Sequence, residues 1–181
     1  MTDYSNLEDS QLIANIRQDA KAFDALYHRY LPRLYRYCLQ RVGNAHQAED
    51  ITAQVFFEVL EKLMNGKYRE TGSFPAWLFT IARRRVIDFY REPNPDTLEE
   101  TISIHPDFSS LMEDRDQQRQ LYYLINELDE ERKELLRMRF AAELSFEEIA
   151  ELDGRNPAAV KMAIYRTLDQ LRVRWEQLYG K

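Results

Sequence analysis

The chain has 181 residues, 44% of them apolar, with five Gly, six Pro and a formal charge of −6. That composition suits one ordinary hydrophobic core or two small ones. No apolar run approaches the roughly 18 residues of a bilayer span. The acidic start MTDYSNLEDSQLIANIRQDA also lacks the basic and apolar parts of a signal peptide, so the expected location is the cytoplasm, without membrane insertion.

Taken in chain order, Phe23, Leu26, Tyr27, Tyr30, Leu34, Cys38 and Val42 recur at helical spacing, and so do Ile51, Val55, Phe56, Val59, Leu60 and Leu63. A third helix follows TGSF, where Ser73 suits an N-cap and Pro75 the first turn. On a helical wheel Leu78, Ile81, Ala82, Val86 and Phe89 gather on one side. Trp77, Thr80, Arg84, Ile87 and Arg91 gather on the other. Cations for phosphates and aromatic planes for unstacked bases are what a surface for single-stranded nucleic acid needs. The same pattern is also met by a Trp77 packed under the preceding loop with arginines facing water.

Residues 92–116 hold eight acids (Glu92, Asp96, Glu99, Glu100, Asp107, Glu113, Asp114, Asp116) against Arg115 alone, a balance of −7 that leaves the remainder at +1. With Pro93, Pro95 and Pro106 and little periodicity, this stretch reads as a tether between two modules, 1–91 and 117–181.

In the second module Leu124, Leu128, Leu135, Leu136 and Phe140 suggest one or two core-facing helices. LSFEEIAELDGRNPAAVKMAIYRTL follows. Ser145 and Glu148 form a capping box that starts a helix at Phe146, and Gly154 suits its stop. Asn156 and Pro157 signal a second start. Two helices about four residues apart make a helix-turn-helix. On its second helix Val160, Ala163, Ile164, Leu168 and Leu171 form the buried stripe, and Ala158, Lys161, Met162, Tyr165, Arg166 and Asp169 the free face. Such a face suits a major groove, while a helical hairpin packed on itself is the plainer alternative.

Cys38 is the only cysteine, so no internal disulfide is expected, and His28, His46 and His105 are scattered. The adjacent carboxylates Glu49 and Asp50 are not placed as a metal pair on one helical face. No catalytic residue, metal site or cofactor is therefore expected, and the chain reads as a non-enzyme.

The blocks AEDITAQVFFEVLEKL, FPAWLFTIARRRVIDFYRE and LSFEEIAELDGRNPAAVKMAIYRTLDQLR, in that order around an acidic gap, resemble bacterial RNA polymerase sigma factors of the extracytoplasmic-function, sigma-70-like group. The resemblance runs from about Asp19 to Arg174. It implies an all-α chain of two small helical domains, a sigma region two bundle and a sigma region four helix-turn-helix, joined by an acidic linker. It implies core polymerase binding through Glu49, Asp50, Gln54 and Phe57, and contact with the minus-ten element through Trp77, Thr80, Arg83, Arg84 and Arg91. It also implies contact with the minus-thirty-five element through Asn156, Ala158, Lys161, Met162, Tyr165 and Arg166. The implied partners are core RNA polymerase and promoter DNA, with an anti-sigma factor as a further candidate class. The implied function is promoter-specific initiation, including opening of the minus-ten element. A stand-alone helix-turn-helix regulator is the alternative, although it accounts only for residues 144–174. The chain departs from the family pattern at Ala53, Arg84, Asp153 and Arg155.

Overall fold

The computed structural model describes Tyr4 and residues 6–68, 72–91 and 115–180. The chain divides into two compact units, Met1–Glu100 and Thr101–Lys181. Among the described residues every regular element is helical.

The first unit holds α1 (Asp9–Asn15), α2 (Ala20–Val42), α3 (Ala45–Met64) and α4 (Phe74–Arg91). The caps follow from local chemistry. Asp19 accepts from the Lys21 N–H at 3.0 Å and Asn44 from the Gln47 N–H at 3.1 Å. Ser73 Oγ accepts from the Ala76 N–H at 3.2 Å, so α4 starts where the TGSF signal places it. Gly43, at φ 71°, ends α2 in the left-handed conformation that glycine adopts without steric cost. Pro32 lies inside α2 on its exposed side, and the helix runs through it.

α2, α3 and α4 pack on one another, and α1 packs on α2. Their shared core contains Leu26, Leu34, Val55, Val59, Leu78 and Val86, with the Tyr37 and Phe79 rings edge to face at 5.6 Å. Burial of each such side chain stabilises by about 1.5–3 kcal/mol. Ala22, Tyr37 and Leu39 join this core, while Phe23, Tyr27 and Val42, expected inside, are half-buried. Cys38 is fully buried, and that burial pushes its thiol up to about 12, which makes it a packing residue.

α1 has no counterpart among the helices expected from periodicity. It is short and tied down by contacts distant in sequence. The Asp9 carboxylate accepts from the Tyr30 hydroxyl and, at 2.5 Å, from Arg29 Nη1. Leu12 is completely buried.

The second unit holds α5 (Arg115–Asn126), α6 (Glu130–Leu136), a π-helical turn (Arg137–Ala141), α7 (Phe146–Asp153) and α8 (Pro157–Tyr179). Residues 92–114 of the acidic stretch, with their carboxylates and prolines, lie outside the described residues. Arg115 and Asp116, read as the end of the tether, instead open α5.

Phe140 departs from its expected core position. It is 42% exposed, with Met138 and Ala141 buried instead. The π turn is the cause: the Ala142 N–H reaches the Arg137 carbonyl five residues back at 2.9 Å. One extra residue per turn shifts the inward positions by one. The helix-turn-helix matches its signals closely. Ser145 Oγ accepts from the Glu148 N–H at 3.1 Å while Glu148 accepts from the Ser145 N–H at 2.7 Å, Gly154 sits at φ 65°, and Asn156 accepts from the Ala158 N–H at 2.8 Å.

Candidate functional site

Three helical faces hold the residues singled out above. The first is the outer side of α3. Its inner side is occupied by Ile51, Val55, Phe56, Val59 and Leu63, so Asp50, Gln54 and Phe57, at i, i+4 and i+7, form an exposed stripe with Glu49 beside it. Phe57 is 72% exposed. A bare phenyl ring at the end of an acidic stripe is poorly served by water and well suited to a partner's pocket.

The second face belongs to α4. Trp77 is half-buried, its ring 4.7 Å from Tyr68 in an edge contact and 5.8 Å from Phe74. It thus packs on the preceding loop and still keeps part of its indole in solvent. Thr80 is exposed, with its hydroxyl donating to the Ala76 carbonyl at 2.8 Å. Arg84, Ile87 and Arg91 continue the exposed stripe, and Arg83 lies half-buried to one side.

Arg84 donates to Glu58, a residue that periodicity does not single out. The Glu58 carboxylate also accepts from Arg85 Nε at 2.9 Å and Nη2 at 2.7 Å, and lies 3.0 Å from Lys62 Nζ. Burial alone would raise its pKa, but the hydrogen bonds from Arg84, Lys62 and Arg85 outweigh that and hold it at about 2. The only sequence signal was the Glu58–Lys62 spacing at i, i+4 on α3.

The third face is α8. Ala158, Lys161, Met162, Tyr165 and Arg166 are all exposed along it, while Val160, Ile164, Thr167 and Leu171 face inward. Asn156 is exposed, but its side-chain oxygen is engaged in the cap, so it starts the helix as well as bordering the face. Lys161 Nζ lies 6.0 Å from the Phe146 ring centre and 5.9 Å from that of Tyr165. Arg139 stacks over Phe146 at 4.8 Å and donates to the Leu144 carbonyl at 2.7 Å. Neither Phe146 nor Arg139 was selected from the sequence, because their pairing depends on how the π turn meets α7. At the turn, Arg155 bonds Glu131 of α6 at 2.5 Å, which explains a charged residue there.

The described residues contain no cluster of three or more His, Cys, Asp or Glu that could hold a metal ion, and no helix long and apolar enough to cross a membrane.

Residues 26–94 match the family model Sigma-70 region 2 and residues 118–171 the model Sigma-70, region 4. The chain is 32% identical over 177 residues to the ECF RNA polymerase sigma factor ShbA of Streptomyces griseus, covering 90% of this chain and 92% of ShbA. This chain is an ECF RNA polymerase sigma factor. A second relative, the ECF RNA polymerase sigma factor BldN of Streptomyces coelicolor, is 31% identical over 160 residues. The match covers 84% of this sigma factor and 60% of BldN. The structure of CnrH in complex with the cytosolic domain of CnrY shares its fold at a TM-score of 0.64 and 19% identity, covering 97% of this sigma factor and 99% of CnrH. α3 and α4 fall in the region two match, and α7 and α8 as far as Leu171 in the region four match.

The Glu58 cluster is expected to make region two acid-sensitive. A carboxyl whose folded pKa lies below its unfolded value of about 4.5 contributes stability above that pH and loses it as pH falls toward 2. After allowing for screening of the exposed Arg84, about 2 kcal/mol of region-two stability is expected to vanish across that window. In a Trp175→Phe background, Trp77 fluorescence during urea unfolding at successive pH values reads this directly. Glu58→Gln should flatten the dependence between pH 4.5 and 2. An unchanged slope in the variant would remove Glu58 as its cause.

Proposed function

We propose that this sigma factor docks on core RNA polymerase through the exposed α3 stripe. It then selects promoters by reading the minus-ten element with α4 and the minus-thirty-five element with α8. It is a specificity subunit and not an enzyme, acting in the cytoplasm where the polymerase works. The observation that carries this reading is the division of labour among the three faces: α3 offers acids around a bare Phe57, whereas α4 and α8 each offer cations with exposed aromatic surface.

The charge distribution suggests how the parts cooperate. Sequence-independent DNA affinity grows with the number of phosphates neutralised. Each reading face offers few cations, and 92–116 carries −7, so the free protein binds duplex DNA weakly. Core polymerase, by holding both domains, makes the second contact intramolecular and supplies effective concentration.

Gel shifts at one fixed salt concentration, followed by in vitro transcription from genomic fragments, test this reading. The sigma factor alone should give weak, non-specific shifts. Adding core should yield specific complexes and defined start sites that depend on the sigma factor. Tight, sequence-specific binding by the free protein, with no sigma-dependent start sites, would instead favour a stand-alone regulator built around α7 and α8.

A further inference from the structure

We propose that Glu58 is a positioning residue for promoter opening: it holds the Arg84 guanidinium oriented on the exposed face of α4. The inference rests on the reading of α4 as the minus-ten element's contact surface. Glu58 sits on α3 with its side chain only 9% exposed, directly after the bare Phe57 but about 100° round the helix from it, toward α4. One carboxylate oxygen meets Arg84 Nη2 and Lys62 Nζ, and the other receives both Nε and Nη2 of Arg85.

Three cations on one carboxylate leave a local charge of +2. The cluster therefore remains attractive to a polyanion even though each cation is paired. Arg84 is the outermost member, 52% exposed, between Thr80 and Ile87 on the face that also carries Trp77 and Arg91. Its bond to Glu58 is made through Nη2, one of the three nitrogens that carry donor hydrogens, so the N–H groups of Nε and Nη1 are not spent on the carboxylate. A guanidinium held in this way meets an acceptor on an unpaired nucleotide without first being ordered, and its planar fork gives direction as well as charge. Lysine would keep the charge and rotatable donors but not the planar fork that fixes their direction. Because Glu58 belongs to the helix proposed to dock on polymerase, fixing α3 on core also fixes the position of Arg84.

The test uses reconstituted holoenzyme and measures the rate of promoter opening by permanganate reactivity of unpaired thymines. Thermal melting and core-affinity titrations run alongside for each variant. Arg84→Ala and Arg84→Lys should each slow opening by roughly tenfold, within the range for loss of one oriented contact to nucleic acid. Glu58→Gln should do the same with core affinity within about twofold of the parent. The combination Glu58→Gln with Arg84→Ala should open no more slowly than Arg84→Ala alone, because both changes remove one contact. Glu58→Asp keeps the charge but withdraws it by one methylene. It carries the same comparison if Glu58→Gln melts too early.

Effects that multiply in the double variant would overturn the proposal and leave Glu58 a structural ion-pair partner. Full opening by Arg84→Lys would also overturn it, since charge without orientation would then suffice. Normal opening by Arg84→Ala would overturn it together with the assignment of the minus-ten element to the Arg84 face. A defect in Arg84→Ala with none in Glu58→Gln or Glu58→Asp would overturn the proposal alone.

Discussion

Phe57→Ala is expected to lower the affinity of the sigma factor for core RNA polymerase by about 30-fold to nearly 1,000-fold, equivalent to roughly 2–4 kcal/mol for an aromatic anchor. Region-two stability should change by no more than about 0.5 kcal/mol, because a side chain 72% exposed contributes little to the fold. The neighbouring Phe56→Ala should show the opposite pattern. Phe56 is 5% exposed and its ring lies 4.6 Å from Tyr27, so its loss should cost about 3–5 kcal/mol of stability. Asp50→Asn, on the rim of Phe57, should act mainly on association rate and its salt dependence, whereas Gln54→Ala removes no charge and should leave the salt dependence unchanged. Fluorescence titration of labelled core, paired with thermal melting, separates these outcomes. Core affinity unchanged by Phe57→Ala would show that the polymerase binds elsewhere.

The second large effect divides the two DNA-reading helices by mechanism. Trp77→Ala should impair opening of a fully paired promoter by an amount set by the loss of one stacking platform, about 1–3 kcal/mol per base. Arg166→Ala should cost about 1–3 kcal/mol in recognition of the minus-thirty-five element, a step that precedes melting. On a template whose minus-ten region is opened beforehand by mismatches, the melting cost disappears but the strand still has to be held. The Trp77 defect should therefore shrink partly, and the Arg166 defect should persist.

Packing complicates the Trp77 arm. Because Trp77 contacts Tyr68 and Phe74, its removal also destabilises α4, by less than the roughly 3–5 kcal/mol of a fully buried aromatic. Circular dichroism and melting curves must first show the variant folded at the assay temperature. If both defects respond identically to pre-opening, the proposed division between α4 and α8 is wrong.

Some of this could be read directly from the residues. The Ser145 and Glu148 box, the Gly154 stop, the Asn156–Pro157 start and the Ser73 cap all depend on groups within a few residues of one another. Their hydrogen bonds are therefore written in the local order of side chains. Helical periodicity likewise placed most of the inner sides of α3, α4 and α8, with Arg84 and Lys161 outside them, although on α8 Thr167 is buried while Ala163 and Leu168, expected inside, are half-buried. The sigma blocks, in their order, carried the rest of the functional reading.

What the sequence by itself determined, then, was the helical class, the caps and the outward faces, because each is governed by interactions over a few residues. The tertiary structure decided what lies across sequence gaps. Asp9 reaches Arg29 and Tyr30 across 20 and 21 positions, and with Leu12 buried this stabilises a helix too short to announce itself. Glu58 reaches Arg84 and Arg85 across 26 and 27 positions, turning two surface arginines into an oriented pair. The π turn at Arg137–Ala141 moved Phe140 outward and Ala141 inward, a register shift of one residue that α-helical spacing does not encode. Trp77 could be assigned neither to packing nor to solvent from its wheel position, and the fold gave it both, since only the path of the preceding loop brings Tyr68 against one edge of the indole. Pairings of this kind depend on where whole helices come to rest, and that is settled by the summed burial of the core and not by any local pattern.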